Sequence, residues 1–312
     1  MKLDRRIVLG LSCYALAASL APIRVALAEA EIKALKLIEP LGPLSIVRTV
    51  LDLLRPALQQ ELKCDVAVQT VPGHDGFDAI HAVLAPGGSE LRLLGTAIMA
   101  TQYAEGVVTT DIRLEALVPI VKLTNGFSVA LFARRGGPLK AWSDLAAAKP
   151  LKVSCPERAT ASYVAELMME RKGGIATEVS LRPSIAEVMD DVTTGRADVG
   201  IARTTLVAGQ LDRLQPIISF GAERSGVLSH TPTFAEVTRK PKLAFTESVG
   251  VFAPPRERTL AARLTAAFIA AGDDPDVLDR AEAANLPLAI RGPDIVVETM
   301  KRNRRVLQRI LG

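Results

Sequence analysis

The residues with the clearest chemical potential are hydroxyls and arginines. Thr160, Ala161, Ser162 and Tyr163 follow an apolar run at Leu151 and Val153 and a small-residue turn with Pro156; Val164, Leu167 and Met168 then share one face of an amphipathic pattern. That order reads as strand, loop and helix, with hydroxyls and free backbone N–H groups at the helix start. A helix N-terminus carries partial positive charge and unpaired donors, so it seats a carboxylate or similar anion without any catalytic group. Thr160 and Ser162 are the first candidates for ligand contact, set against ordinary helix capping, which favours the same residue types. Arg203 follows the short apolar run Val199–Ile201 and belongs at the mouth of a sheet. A guanidinium there holds a carboxylate bidentately, or else it is a solvated charge or a lobe-to-lobe salt bridge. Arg158 and Arg182 fall on neighbouring strand-end loops. Thr96 ends another strand, as a ligand contact or as a satisfied turn hydroxyl. Tyr163 either lines a cleft or packs under its helix.

Other chemistry is poorly supported. Cys64 and Cys155 could flank a substrate as an acid/base pair in a cysteine-dependent enzyme. Cys64 comes before its strand, however, at the wrong end of the sheet for a shared cleft. A reactive thiol also needs a thiolate-favouring neighbour, and Arg158 is the one at hand for Cys155. No C-x-x-C, Cys/His cluster, Ser/His/Asp ordering, Walker loop or G-x-G-x-x-G is present, so no metal and no cofactor are expected. His74, His81 and His230 are scattered and read as surface or turn residues. The expectation is a binding protein, not an enzyme.

The elements that must position these groups alternate in period. Strand-like runs occur at Leu35–Ile38, Val66–Val71, Leu91–Gly95 and Leu117–Val121, with a helical face at Ile46, Val47, Val50, Leu51 and Leu54 and a helix from Phe77 to Leu84. Pro56 should bend or interrupt the first helix. This is the βαβ pattern of a parallel sheet with helices on both faces. After the apolar run Phe127–Ala133 the pattern begins afresh. A helix at Trp142–Ala147 leads to the strand at Leu151, the helix from Ala161, a strand at Val179–Leu181 and a helix through Ile185, Val188, Met189 and Val192. Strands follow at Val199–Ile201, Ile217–Phe220 and Leu243–Val251. The chain ends in helices, with Leu260, Leu264, Ala267 and Phe268 on one face and Val297, Met300, Leu307 and Leu311 on another. Two α/β units imply a cleft between lobes. Phe127–Ala133 and Ser248–Ala253 are the candidate crossover strands, which makes the first lobe discontinuous: residues 29–128 plus 250–312, with 129–249 as the second lobe.

Composition and the N-terminus narrow the class. The chain has 312 residues, 49% of them apolar and only 4% aromatic, which supports real cores but not a base-stacking surface. Residues 1–28 read as an export signal: Lys2, Arg5 and Arg6, then an apolar run from Ile7 to Leu20, then Ala26-Leu27-Ala28 as a small-x-small cleavage site. Arg5-Arg6 leaves the Sec and twin-arginine routes both open. The signal holds Lys2, Arg5, Arg6 and Arg24 against Asp4, so removing it lowers the net charge from +4 to +1. The basic balance therefore belongs to the signal, and nucleic acid is not an expected partner.

The ordered set of motifs resembles the periplasmic solute-binding proteins of tripartite tricarboxylate transporters, the Bug family. Leu35–Arg48 stands where that family has an opening strand, loop and helix. Val71-Pro72-Gly73-His74-Asp75-Gly76 is similar to its P-G-x-x-G turn, and Leu93-Leu94-Gly95-Thr96 to its L-L-G-T strand end. Ser154 to Leu167 occupies the place of its hydroxyl-rich binding loop, and Asp190 to Asp198 its D-x-x-x-G-x-x-D turn. Thr231 to Glu236 resembles its V-P-T-x-x-E segment, and Val251 to Pro254 its re-entering strand.

The resemblance implies a type II periplasmic-binding-protein fold of two lobes. It implies a monomer in the periplasm that closes over a small organic acid and passes it to a membrane permease. A receptor of the same fold that presents its ligand to a sensor kinase is the alternative role. The implied contacts are Ser45, Thr96, Thr160, Ala161, Ser162, Tyr163, Arg182 and Arg203. Several depart from the family pattern: Ser45 stands where an acid is usual, Tyr163 where a histidine is, Ala202-Arg203 in place of Asp-Asn, and Arg182 at a lysine position. The first loop is also shortened, to Pro40 through Ser45. The arginines are expected to compensate by gripping an anion directly.

Overall fold

The computed structural model describes residues 32–42, 45–86, 90–108, 110, 112–145 and 150–312. The export signal lies outside them, as do Pro43 and Leu44 of the first loop and the end of the expected helix Trp142–Ala147.

The first lobe begins with β1 (Ala34–Glu39), α1 (Ile46–Leu62), β2 (Asp65–Thr70), α2 (Phe77–Leu84), β3 (Leu91–Ala97), α3 (Ile98–Val107) and β4 (Val118–Thr124). The second holds β5 (Val129–Arg134), α4 (Trp142–Leu145), β6 (Leu151–Pro156), α5 (Ala161–Gly173), β7 (Thr177–Arg182) and α6 (Ile185–Thr194). It continues with β8 (Val199–Arg203), α7 (Thr204–Ala208), β9 (Leu214–Ser219) and α8 (Phe234–Thr238). The chain then returns through β10 (Val249–Ala253), α9 (Ala261–Gly272), α10 (Pro275–Ala283), β11 (Leu288–Arg291) and α11 (Pro293–Leu311). The strand orders are β11-β4-β10-β3-β1-β2 and β7-β6-β8-β5-β9.

Both sheets are mixed, not parallel throughout. β1 is parallel to β2 and β3, and β6 to β7 and β8. β10 is antiparallel to β3 and β4, and β5 to β8 and β9. The reason is topological: β5 and β10 are the first strands after each passage between sheets. They enter from the end at which the parallel strands stop and run the opposite way. The two passages touch. Phe127 N–H donates to the Glu247 carbonyl at 2.7 Å, and Glu247 N–H to the Phe127 carbonyl at 2.9 Å. Gly126 has φ +109°, and a Cβ there would lie 2.9 Å from Thr246 Oγ1, so glycine permits the close approach.

The cores follow the apolar periodicities. α1 buries Val47, Val50, Leu51 and Leu54 against Leu35, Leu93 and, from α9, Leu264 and Phe268. The helix runs unbroken through Pro56. Pro56 is exposed, on the face of α1 turned away from the buried Val47, Val50, Leu51 and Leu54. The last helix is turned by about one residue from the expected face. Val296, Met300, Val306, Leu307 and Ile310 are buried, while Val297 is 38% exposed. Its first half joins Ile98 and Phe252, and its last turns join Tyr103 and the second-lobe core of Val153, Ala165 and Met168. α3 and α11 thus span both lobes.

Candidate functional site

Between the sheets lies a cavity of about 350 Å³, within the range of small-molecule sites. Its first-lobe wall is Leu41, Ser45, Ile46 and Ala97. The passages contribute Phe127, Val129 and Glu247; the second lobe contributes the Pro156–Ser162 loop, the Pro183–Ile185 loop, Arg203 and Leu206. The wall is therefore built where strands end and helices begin, the usual place for ligands in open α/β sheets.

Arg203 is the last residue of β8, opposite Val129 of β5. It is half-buried. Burial alone pushes its guanidinium below the ordinary arginine value, and its side chain has no hydrogen bond or ion pair to another described residue. A desolvated cation without a counter-charge is costly. Beside it, α5 starts with Thr160 as its cap: Thr160 Oγ1 accepts from Tyr163 N–H at 3.3 Å and donates to the Glu157 carbonyl at 2.7 Å. The next two N–H groups, of Ala161 and Ser162, have no acceptor among the described residues. Ser162 is 95% buried, and its hydroxyl makes no hydrogen bond to another described residue.

Two carboxyls also reach the wall. Glu247 is fully buried and receives Met99 N–H at 2.9 Å, Ala100 N–H at 2.8 Å and Ser248 N–H at 2.8 Å. It therefore occupies the N-terminus of α3. Burial pushes this carboxyl up to about 7, against the pull of those donors. Glu157 is also raised, by burial and then by nearby Asp75 of the first lobe.

No family model matches the chain, and no curated protein matches it in sequence. Solved structures do match. A TctC solute-binding protein from Polaromonas is 19% identical over 89% of this chain and 98% of its own, with TM-score 0.67. MatC from Rhodopseudomonas palustris with bound malate is 19% identical over 90% and 99%, TM-score 0.78. Rpa4515 from R. palustris with adipate is 15% identical over 89% and 96%, TM-score 0.75. The chain has the fold of the TctC-type solute-binding proteins.

Within this TctC-type fold the expected contacts separate into two groups. Ser45, Thr160, Ala161, Ser162 and Arg203 lie together on the cavity wall. Thr96, Tyr163 and Arg182 do not, each for a local reason. Thr96 is 2% exposed and bonds Thr101 Oγ1 at 2.7 Å, fixing the turn into α3. Tyr163 faces Tyr103 of α3 with ring centroids 5.8 Å apart. Arg158, expected to help grip an anion, interacts with the same Tyr163, and burial raises the Tyr103 hydroxyl to about 12. Arg182 Nε donates to Asp191 Oδ2 at 2.5 Å. Asp191 also receives Arg196 at 2.8 Å and Ser154 at 2.9 Å. Burial opposes ionisation of Asp191, but these partners hold it below its usual value. The expected trio of compensating arginines thus reduces to Arg203.

Glu247 on the cavity wall, and Glu39, which ends β1 and accepts from the Leu41 and Gly42 N–H groups in the loop beside it, are not among the expected site residues. The only sequence signal for either is an acid interrupting or ending an apolar run. The histidines are exposed, as read from the sequence. Cys155 is fully buried, and its thiol is pushed well above its ordinary value by burial. Burial also raises Cys64. Neither thiol is poised as a thiolate nucleophile. Among the described residues there is no cluster of metal-binding side chains and no helix long and apolar enough to cross a membrane.

Proposed function

We propose that this chain is a periplasmic solute-binding protein of the tripartite tricarboxylate transporter class. It captures a small organic acid between its lobes and delivers it to a membrane permease, without chemistry on the ligand. The observation that carries this reading is Arg203, a half-buried guanidinium on the cavity wall with no counter-charge among the described residues. The neighbours with bound malate and adipate support it by analogy of fold. The ligand carboxylate pairs with Arg203 and takes further bonds from Ala161 and Ser162 at the start of α5. Thr160 shapes that start, and Ser45 faces it from the first lobe. In this reading residues 29–128 and 250–312 form one lobe and 129–249 the other.

The test is a thermal-shift screen of the purified protein against small organic acids. A ligand at about a hundred times its dissociation constant adds about 2.7 kcal/mol, which raises the melting temperature by several degrees. Stabilisation by one acid class is expected. No stabilisation by any acid overturns the reading.

A further inference from the structure

Three segments meet at the far end of α5 through basic side chains that reach backbone carbonyls and no acids. Arg171, near the end of α5, donates to the Leu311 carbonyl at the end of α11 at 3.1 Å. Lys240, just after α8, donates through Nζ to the Lys172 carbonyl at 2.6 Å. Arg309 of α11 donates to the Lys242 carbonyl at 3.2 Å. Arg305 precedes Arg309 by four residues and shares its side of α11. Lys172 is half-buried and the other five cations are exposed. None of the six is in an ion pair with another described residue, and neither are Glu170 and Glu298, acids on the same two helices. Beyond the export signal the net charge is only +1, so this is an uneven placement of charge and not a general basic excess. Like charges one turn apart weaken a helix, and a surface field of one sign draws in the opposite charge.

We infer that this face docks the protein on an anionic bilayer surface, with the lysines and arginines against phospholipid phosphates. Two features favour a lipid surface over an acidic protein segment. The cations are spread over three segments and none of them lines the ligand cavity, so they present a broad charged face and not a shaped seat. The face also lacks anchors: the exposed large apolar side chains of α11, Ile295 and Val297, stand at its start, at least two turns from Arg305. A protein interface draws most of its energy from buried aromatic and apolar anchors, whereas a headgroup surface is held by charge alone. α5 begins at the cavity wall with Ala161, which puts Arg171 and Lys172 about 15 Å away along the helix. Docking through this end leaves the ligand site uncovered.

The experiment is sedimentation of the purified protein with two kinds of vesicle at physiological salt: phosphatidylcholine alone, and phosphatidylcholine mixed with phosphatidylglycerol. Partitioning onto the anionic vesicles is expected to exceed that onto the neutral ones by at least about tenfold, and to weaken as salt is raised. Arg305→Gln with Arg309→Gln should lower that preference by at least about threefold, and Arg305→Glu with Arg309→Glu should remove nearly all of it. Both positions are exposed, so melting curves should show both variants folded; the glutamine pair decides if the glutamate pair is not. Equal partitioning onto the two vesicles, or a glutamine pair that partitions like the wild type, overturns the assignment. Binding to polyglutamate that is lost in the same variants, with no preference for anionic vesicles, also overturns it and makes the occupant an acidic protein segment. Neither result touches the solute-binding reading, which rests on Arg203.

Discussion

Phe127 and Glu247 exchange both of their backbone hydrogen bonds, at 2.7 and 2.9 Å, at the place where the chain passes between the lobes. The same Glu247 turns its side chain onto the first N–H groups of α3, at 2.8–2.9 Å. One residue thus ties the two passages together, caps a helix that spans both lobes and borders the cavity.

Glu247→Ala should be among the more damaging single changes. It leaves the N–H groups of Met99, Ala100 and Ser248 without their acceptor in a fully buried setting. Each orphaned donor costs about 1–3 kcal/mol, so a loss of roughly 3 kcal/mol or more is expected by denaturant titration. A loss below about 1 kcal/mol would mean that water or a neighbour replaces the carboxylate.

Stability should fall as pH rises through the weakly acidic range. Burial raises Glu166, which accepts from Thr177 Oγ1 at 2.8 Å, from 4.5 to about 7. Such a group binds more protons folded than unfolded between those two values. Its contribution is fully present below about 4.5 and is lost as pH rises through about 7. Glu247 acts in the same direction. Glu166→Gln, which stays neutral, should remove a loss on the order of 2–3 kcal/mol between pH 4.5 and 8. Melting curves across that range measure it, and an unchanged slope in the variant would contradict the assignment.

Arg182 and Asp191 should separate stability from binding. Asp191 Oδ2 takes Arg182 Nε at 2.5 Å, while the acid is nearly wholly buried. Asp191→Ala leaves Arg182 Nε and Ser154 without this acceptor and Arg196 with Asp190 alone, and a destabilisation of roughly 3 kcal/mol is expected. Arg182→Ala should be milder, since that guanidinium is about a third exposed, and should leave ligand affinity within about threefold. A loss of affinity beyond tenfold would place Arg182 in the site after all.

Much of the fold was legible because its signals are local. The alternation of strand-period and helix-period segments placed β1, β6 and β8 and the helices α1, α5 and α6 to within a few residues. The position of Arg203 on the cavity wall was legible because an arginine two residues after Val199–Ile201 sits at a strand end. What stayed hidden depends on contacts distant in sequence. Nothing near Glu247 shows that its acceptors serve Met99, a residue 148 positions away. The commitment of Arg182 to Asp191 requires knowing how α6 lies on β6 and β7. The antiparallel sense of β5 and β10 follows from the double passage between lobes, which no single strand records.

The most direct test of the account is calorimetric titration of the acid that binds best, with wild-type protein and with Arg203→Ala. A desolvated charge pair broken on one side costs about 2–5 kcal/mol. Affinity should therefore fall by well over tenfold while the unliganded variant stays folded, with a melting temperature at or above that of the wild type. Unchanged affinity in Arg203→Ala would contradict the central claim that this guanidinium receives the ligand's carboxylate.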